Sequence, residues 1–221
     1  KDKDILTKIA MTAMTGKGAE NAKAKLADIT VRSVVAVAES HENTLNIDTS
    51  NIKIEKKVGA SVDDSELIKG IVLDKERVHS GMPVKIENAR IALVDSSIEI
   101  KSTEIDAKIQ ITDPNQMQAF LDKEEEMLKE KVNKIFDSGA NILICQKGID
   151  DLAQHFLAKK GIYAIRRAKQ SDMISLSKAT NGKIMTNLDD LNKDDLGTAG
   201  FVGEVKVGDE NMTYVKDCKN P

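Results

Sequence analysis

The sequence predicts a mixed α/β fold, with a central sheet flanked by helices and a mainly helical segment ahead of it. Three observations carry this. Short apolar runs alternate with helical stretches from 141 to 186, the pattern of parallel strands covered by crossover helices. A long amphipathic helix opens at Asp113-Pro114 and stops at Gly139. Two β-rich runs, Phe201–Val207 and Asn211–Val215, face each other across Gly208-Asp209-Glu210 and read as a closing hairpin.

Taken in order, residues 4–14 (DILTKIAMTAM) read as a short helix ending before Gly16-Lys17-Gly18. A second helix follows from about Ala19 to Glu39. Its apolar content is nearly continuous over Ile29–Ala38, which predicts burial on more than one side. The alternation in Asn51–Val58 (NIKIEKKV) predicts a strand, and Gly59–Ser65 (GASVDDS) reads as a domain seam by composition. Strands are expected at Gly70–Asp74, Arg90–Asp95 and Ile98–Ile100. Another is expected where Ile105, Ala107, Ile109 and Ile111 alternate strictly.

The organising stretch is 112–148. Asp113 is an N-cap acceptor, Pro114 suits the first helical position, and Gln116 sits as in a capping box. Met117, Phe120, Leu121, Met127, Leu128, Val132, Ile135 and Phe136 recur at helical spacing along roughly 30 Å of helix. The acidic run Glu124-Glu125-Glu126 separates the first three from the rest. Periodicity alone reads this as a core helix with a polar interruption. The alternative is a helix whose near end packs and whose far end projects a small apolar tip, the kind of cluster that marks an interaction site. Beyond Gly139, Asn141–Cys145 (NILIC) predicts a fully buried strand. Then come a helix at about 150–160, a strand at 162–166, a helix at about 171–180 and a strand at 183–186. Gly161 and Gly182 stand at helix ends and Ser171 at an N-cap position.

Composition bounds the function. The 221 residues are 40% hydrophobic and 31% charged, with a net charge of −3 and pI near 5.8. No apolar run reaches the length of a membrane span. The acidic balance opposes nucleic-acid binding, and aromatics at 3% leave little for base or sugar stacking. Cys145 and Cys218 give no disulfide framework, which fits a reducing cytoplasm. The chain begins at Lys1 without Met and ends at Asn220-Pro221, as a piece of a longer chain would.

Neither nucleotide fingerprint is present. Gly16-Lys17-Gly18 could approach a phosphate, but a lone G-K-G is a weak signal and a helix–helix turn is the better explanation. His41, His79 and His155 show no metal-ligand spacing. Adjacent acid pairs such as Asp150-Asp151 and Asp194-Asp195 suit caps and turns. Lys159, Lys160, Arg166, Arg167 and Lys169 read as a solvated basic rim.

Longer strings carry a resemblance. GASVDDSELIKGIVLDKERVHSGMP (59–83), NARIALVDSSIEI (88–100), ITDPNQMQAFLDKEEEMLKEKV (111–132) and ICQKGIDDLAQHFLAKKGIYAIRRAKQSDMISLSKAT (144–180) closely resemble the group II chaperonins, nearest the archaeal branch. KIAMTAMTGKGAENAKAKLADI (8–29) and the last 27 residues resemble them too. The resemblance implies residues 1–60 as part of an intermediate domain. It implies 61–216 as a substrate-binding apical domain, with a helical protrusion at about 100–132 acting as a built-in lid, and 217–221 as the return toward the intermediate domain. The ATP- and Mg-binding equatorial domain of the parent lies outside this sequence, so no cofactor and no catalytic or metal residues are expected here. Lys17 matches the family's nucleotide-sensing lysine. Unfolded client proteins are implied to bind Asp151, Gln154, His155, Ala158 and Lys159, the loop Asp95–Thr103, and Met117, Phe120, Leu121 and Met127 of the protrusion. The other partners implied are subunits of the same double ring. Ser80, Ser97 and Thr103 depart from the pattern, since many relatives have proline there. The alternative reading is a self-standing α/β enzyme or small-ligand domain built on 141–186.

Overall fold

The computed structural model describes residues 2–41, 44–58, 61–100 and 114–219. The expected strand at Ile105–Ile111, the Asp113 cap and the loop to Thr103 lie outside the described residues.

Helix α1 (Lys3–Met14) and helix α2 (Lys23–Ala36) pack side by side across the 15–18 turn and a short 3-10 turn at Glu20–Ala22. α1 buries none of its residues, and α2 buries only Ala27, Val31 and Ser33. Ala27 and Val31 share one face and Ser33, about 200° from Val31, lies on the other, so burial falls on more than one side as the apolar run predicts, although it is partial and Val35 is 55% exposed. α2 also stops three residues short of Glu39. The β-branched Val34-Val35 and Val37 lead instead into strand β1 (Ala38–His41), antiparallel to β2 (Thr44–Ile47).

Residues 52–57 form no strand, contrary to the alternating pattern. They run as an extended strap whose lysines reach the main sheet. Lys53 Nζ donates to the Val72 carbonyl at 2.9 Å and to Asp172 Oδ1 at 2.8 Å, and Lys57 bonds Asp74 Oδ1 at 2.7 Å as well as Glu210. The alternation there sets lysines against acceptors rather than one apolar face against a core.

The main sheet has seven strands: β3 (Gly70–Leu73), β4 (Lys85–Val94), β5 (Ile142–Cys145), β6 (Tyr163–Ile165), β7 (Ile184–Met185), β8 (Gly197–Val207) and β9 (Glu210–Cys218). The order is β3-β9-β8-β4-β5-β6, with β7 on β4 beside the end of β8. β3, β9 and β8 form the antiparallel part, whereas β4 runs parallel to β5 and β7, and β5 parallel to β6. Ile98–Ile100 makes only a bridge, Ile98 to Ile149.

Helices α3 (Pro114–Asp137) and α4 (Asp151–Lys159) cross over on one face and α5 (Gln170–Thr180) on the other. The period-2 alternation of strands sorts the core accordingly. Ala92, Val94, Leu143 and Cys145 meet Leu128, Val132 and Ile135 of α3 and Ala153 and Leu157 of α4. Ile91, Leu93, Ile142 and Ile144 meet Met173, Leu176 and Ala179 of α5. β5 is thus buried on both faces, as NILIC predicts.

The ends of α5 differ from expectation. Lys169 occupies the N-cap position and Ser171 lies inside the first turn, while Asn181 at φ 59° takes the left-handed closing position. Gly182 serves another need. A Cβ there would stand 2.7 Å from the Gly197 nitrogen, so it lets β8 approach.

Candidate interaction surface

α3 is one continuous helix with two environments. Leu128, Val132 and Ile135, at i, i+4 and i+7, are at most 1% exposed against the sheet. Toward the N-terminus the same helix leaves the body. Every residue from Met117 to Lys123 is exposed, including Met117 at 47%, Phe120 at 43% and Leu121 at 50%. Contacts within the helix support this half: Gln118 to Asp122 at 2.8 Å, Lys123 to Glu126 at 2.7 Å and Lys129 to Glu125 at 2.5 Å. Met127 is exposed just beyond the acidic run, and Phe136 is exposed at the far end. Both fall outside the buried stripe although they continue its apolar pattern.

Lys131 marks where the helix leaves the core. Its ammonium donates to the Glu99 carbonyl at 2.7 Å, tying α3 to the loop that follows β4. That loop is fixed from below, since Ile98 N–H donates to the Gly148 carbonyl at 3.0 Å and Asp150 N–H to the Ile98 carbonyl at 2.9 Å.

α4 starts where Asp150 caps it, accepting from Leu152 N–H at 2.9 Å. Ala153, Gln154 and Leu157 point inward. Gln154 is only 4% exposed, and its amide donates to the Ile149 carbonyl and to Asp151 Oδ1. Of the five α4 residues singled out by sequence, Gln154 alone is therefore withdrawn from the surface, where it orients Asp151. His155, Lys159 and Asp151 are exposed, and Ala158 is half-buried.

Two cation–π contacts join α3 and α4: Lys129 over Phe156 at 5.3 Å and Lys160 over Phe136 at 4.3 Å. Across the other side of α4, the His79 and His155 rings lie with centroids 5.8 Å apart, and Gly81 N–H donates to His79 Nδ1 at 2.9 Å. Sequence spacing could not pair two histidines so far apart in the chain. Among the described residues, no group of three or more His, Cys, Asp or Glu could hold a metal ion. Burial pushes the Cys145 thiol up to about 11, which makes it a core residue rather than a nucleophile.

Lys17 is exposed in the turn between α1 and α2, flanked by Gly16 at φ 74° and Gly18 at φ 72°. Gly16 N–H donates to Glu20 Oε1 at 2.7 Å. Lys17 stands far along the chain from the surface formed by α3, α4 and the 95–100 loop.

No described helix is long and apolar enough to cross a membrane. A model of the TCP-1/cpn60 chaperonin family matches residues 1–221. The thermosome subunit beta of Methanothermobacter thermautotrophicus is 57% identical over 220 residues, taking in 100% of this chain and 40% of that protein. The thermosome subunit alpha of Thermoplasma acidophilum is 55% identical with the same coverage. Among solved structures, the open-state monomer of a group II chaperonin from Methanococcoides burtonii matches at a TM-score of 0.80 and 45% identity, covering 100% of this chain and 49% of that one. The chain spans 40% of the length of the curated relatives it matches. With its whole length matched, and at this identity, the chain belongs to the TCP-1/cpn60 chaperonin family.

Proposed function

We propose that this chain is the client-binding and lid-forming portion of a group II chaperonin subunit. Residues 61–216 act as the apical domain, 1–60 as part of an intermediate domain, and 217–221 as the return toward it. Non-native proteins are held on the exposed face of α4 through Asp151, His155, Ala158 and Lys159, on the loop after β4, and on Met117, Phe120, Leu121 and Met127. Gln154 contributes by holding Asp151. The single observation that carries this reading is the exposed apolar half of α3, a continuous helix presenting Met, Phe and Leu to solvent beyond the core. Flexible Met and Leu side chains adapt to many partners, as a binder of unfolded chains requires.

The intact parent hydrolyses ATP with Mg bound elsewhere in its sequence, in a double ring of like subunits in the cytoplasm, and closes its protrusions over the client. Lys17 reports nucleotide state in that parent. This portion by itself neither hydrolyses ATP nor holds it tightly; micromolar ATP binding by calorimetry would overturn that. The client role is tested by replacing Met117, Phe120 and Leu121 together with Ser. Suppression of aggregation of an unfolded protein is expected to fall while the urea midpoint stays nearly constant. Unchanged suppression would remove the apolar half of α3 from the client surface.

A further inference from the structure

The place where α3 parts from the body is braced from two sides. Leu128 is the last residue of the buried stripe toward the N-terminus, and beyond it no described element covers Met117–Lys123. An apolar seat of this kind resists lifting but has no direction of its own, so by itself it would let the helix lean sideways. At about 100° per residue, Lys129 lies about 100° from Leu128 on one flank and Lys131 about 60° from it on the other. Each reaches a different neighbour. The Lys129 ammonium stands over the Phe156 ring of α4, 5.3 Å from its centroid, and pairs with Glu125 of its own helix at 2.5 Å. The Lys131 ammonium donates to the Glu99 carbonyl at 2.7 Å.

Both anchors are fixed to the core. Phe156 is half-buried and packs against the cluster that holds Leu128, Val132 and Leu157. Glu99 lies between Ile98, which is fully buried, and Ile100, which packs on the same cluster. Ile98 is held in turn by its bridge to Ile149 and by main-chain bonds to Gly148 and Asp150. A charge-assisted hydrogen bond and a cation–π contact are directional, unlike the apolar seat between them. Lys131 also stands at i+3 from Leu128, on the inward side, where an apolar residue would have continued the stripe. A lysine there gives up packing and supplies a donor.

We propose that Lys129 and Lys131 are positioning residues that set the angle at which the projecting half of α3 stands to α4, so that the two act as one surface on a single client. The consequence for clients rests on the client-binding reading above, whereas the angle itself does not. Met117, Phe120 and Leu121 lie on one element and Asp151, His155 and Lys159 on another. A segment touching both gains from the second contact only if their spacing is set beforehand. Small leans matter because the helix is a lever. Ala119 lies about 14 Å from Leu128 along the axis at about 1.5 Å per residue, so a lean of about 10° carries it about 2 Å.

The test uses the 221-residue chain with spin labels on Ala119→Cys and, in turn, on Lys159→Cys of α4 or Ser175→Cys of α5, all exposed positions. Cys145 and Cys218 are buried and stay unlabelled. Pulsed dipolar spectroscopy is expected to give one narrow distance for each pair. Lys129→Ala removes the hold toward α4 and should lengthen the 119–159 distance, whereas Lys131→Met, which keeps the aliphatic stem, should shorten it. Each shift should be about 1–2 Å, and Lys131→Arg, which restores a donor, should reverse the second. A merely structural lysine would lower the urea midpoint without moving these distances. Unmoved distances, shifts of the same sign in both variants, or a broad distribution in the unsubstituted chain overturn the braces. The client arm measures the anisotropy of fluorescein-labelled, reduced and carboxymethylated lactalbumin, a permanently unfolded chain, against unlabelled protein. Lys131→Met is expected to bind it about threefold more weakly, while Lys131→Arg and the charge control Lys123→Gln bind like the unsubstituted chain. Equal binding by all four overturns the joint surface and leaves the client reading standing. If the unsubstituted chain itself fails to bind, the client reading fails and the joint surface with it, while the distances still decide the angle.

Discussion

The two halves of α3 have similar apolar content and opposite fates. From Leu128 to Asp137 the helix is held by the sheet, and its stripe of Leu128, Val132 and Ile135 is sealed from water. From Met117 to Lys123 no other described element covers it, and its apolar residues face solvent. A helix propagates cheaply once nucleated, so a packed half can carry an unpacked one outward. The difference teaches that apolar spacing specifies a helix, whereas only a facing surface turns a stripe into core. The same holds between the sheet and the N-terminal pair. α1 leaves Ile5, Leu6 and Ile9 exposed, while α4 and α5 bury their inward residues under the sheet.

The largest effect separates the halves of α3 directly. Ile135→Ala should cost about 2–5 kcal/mol in urea unfolding, because it opens a cavity between α3 and the sheet. The Met117, Phe120 and Leu121 triple Ser variant should cost about 1 kcal/mol or less in total. Similar costs would erase the distinction. Next, hydrogen exchange should be faster in residues 2–58 than in β5 and β6, which are buried on both faces. Equal protection would mean that α1 has found another cover, such as a second copy of the chain.

The strap gives a smaller effect. Lys53→Met should leave Asp172, 6% exposed, without its cation and lower stability by about 1 kcal/mol, after allowing for the solvent that reaches the lysine. Adding salt should reproduce part of this loss in the unsubstituted chain and little of it in the variant.

Acid should also weaken the ion pairs in a defined window. The Lys57 ammonium beside Asp74 holds its carboxyl below the ordinary 3.8, and Lys183 does the same for Asp195. Their folded pKa values are depressed, so their contribution is complete above about pH 4 and disappears as pH falls through the folded values. Lys53 and Lys57 are shifted the other way: burial is the largest influence on Lys53 and lowers it, but its bonds to Asp172 and Glu55 together outweigh that, and Lys57 is raised by donating to Asp74 and Glu210, so both lie above 10.5 and their contribution is lost only in strong alkali. Urea midpoints should therefore vary little with these groups between about pH 5 and 10 and fall below pH 4. A fall beginning near pH 6 would contradict this assignment to the carboxylates. The smallest effect is expected from Lys123→Gln, which should quicken amide exchange over 117–123 and leave the urea midpoint unchanged.

The sequence by itself determined most elements of the sheet body. NILIC is apolar on both faces and too short for a helix, so β5 was legible, as were the crossover helices and the β8–β9 hairpin with Gly208 at its turn. The long strings around 59–83, 111–132 and 144–180 also pointed to the family. Tertiary structure decided what local pattern could not. Asn51–Val58 alternates like a strand, but its lysines find Asp172, Asp74 and Glu210 from distant parts of the chain, and those ion pairs hold it as a strap. Gln154 is polar, yet it lies with Ala153 and Leu157 on the inward side of α4, where its amide donates to the Ile149 carbonyl. Asp95, Lys147 and Arg167 follow three separate strands, β4, β5 and β6, and come to one place only when the sheet is wound. Periodicity reports which side of an element is apolar. Which side is covered depends on what else the chain brings to it, and that is a property of the whole fold.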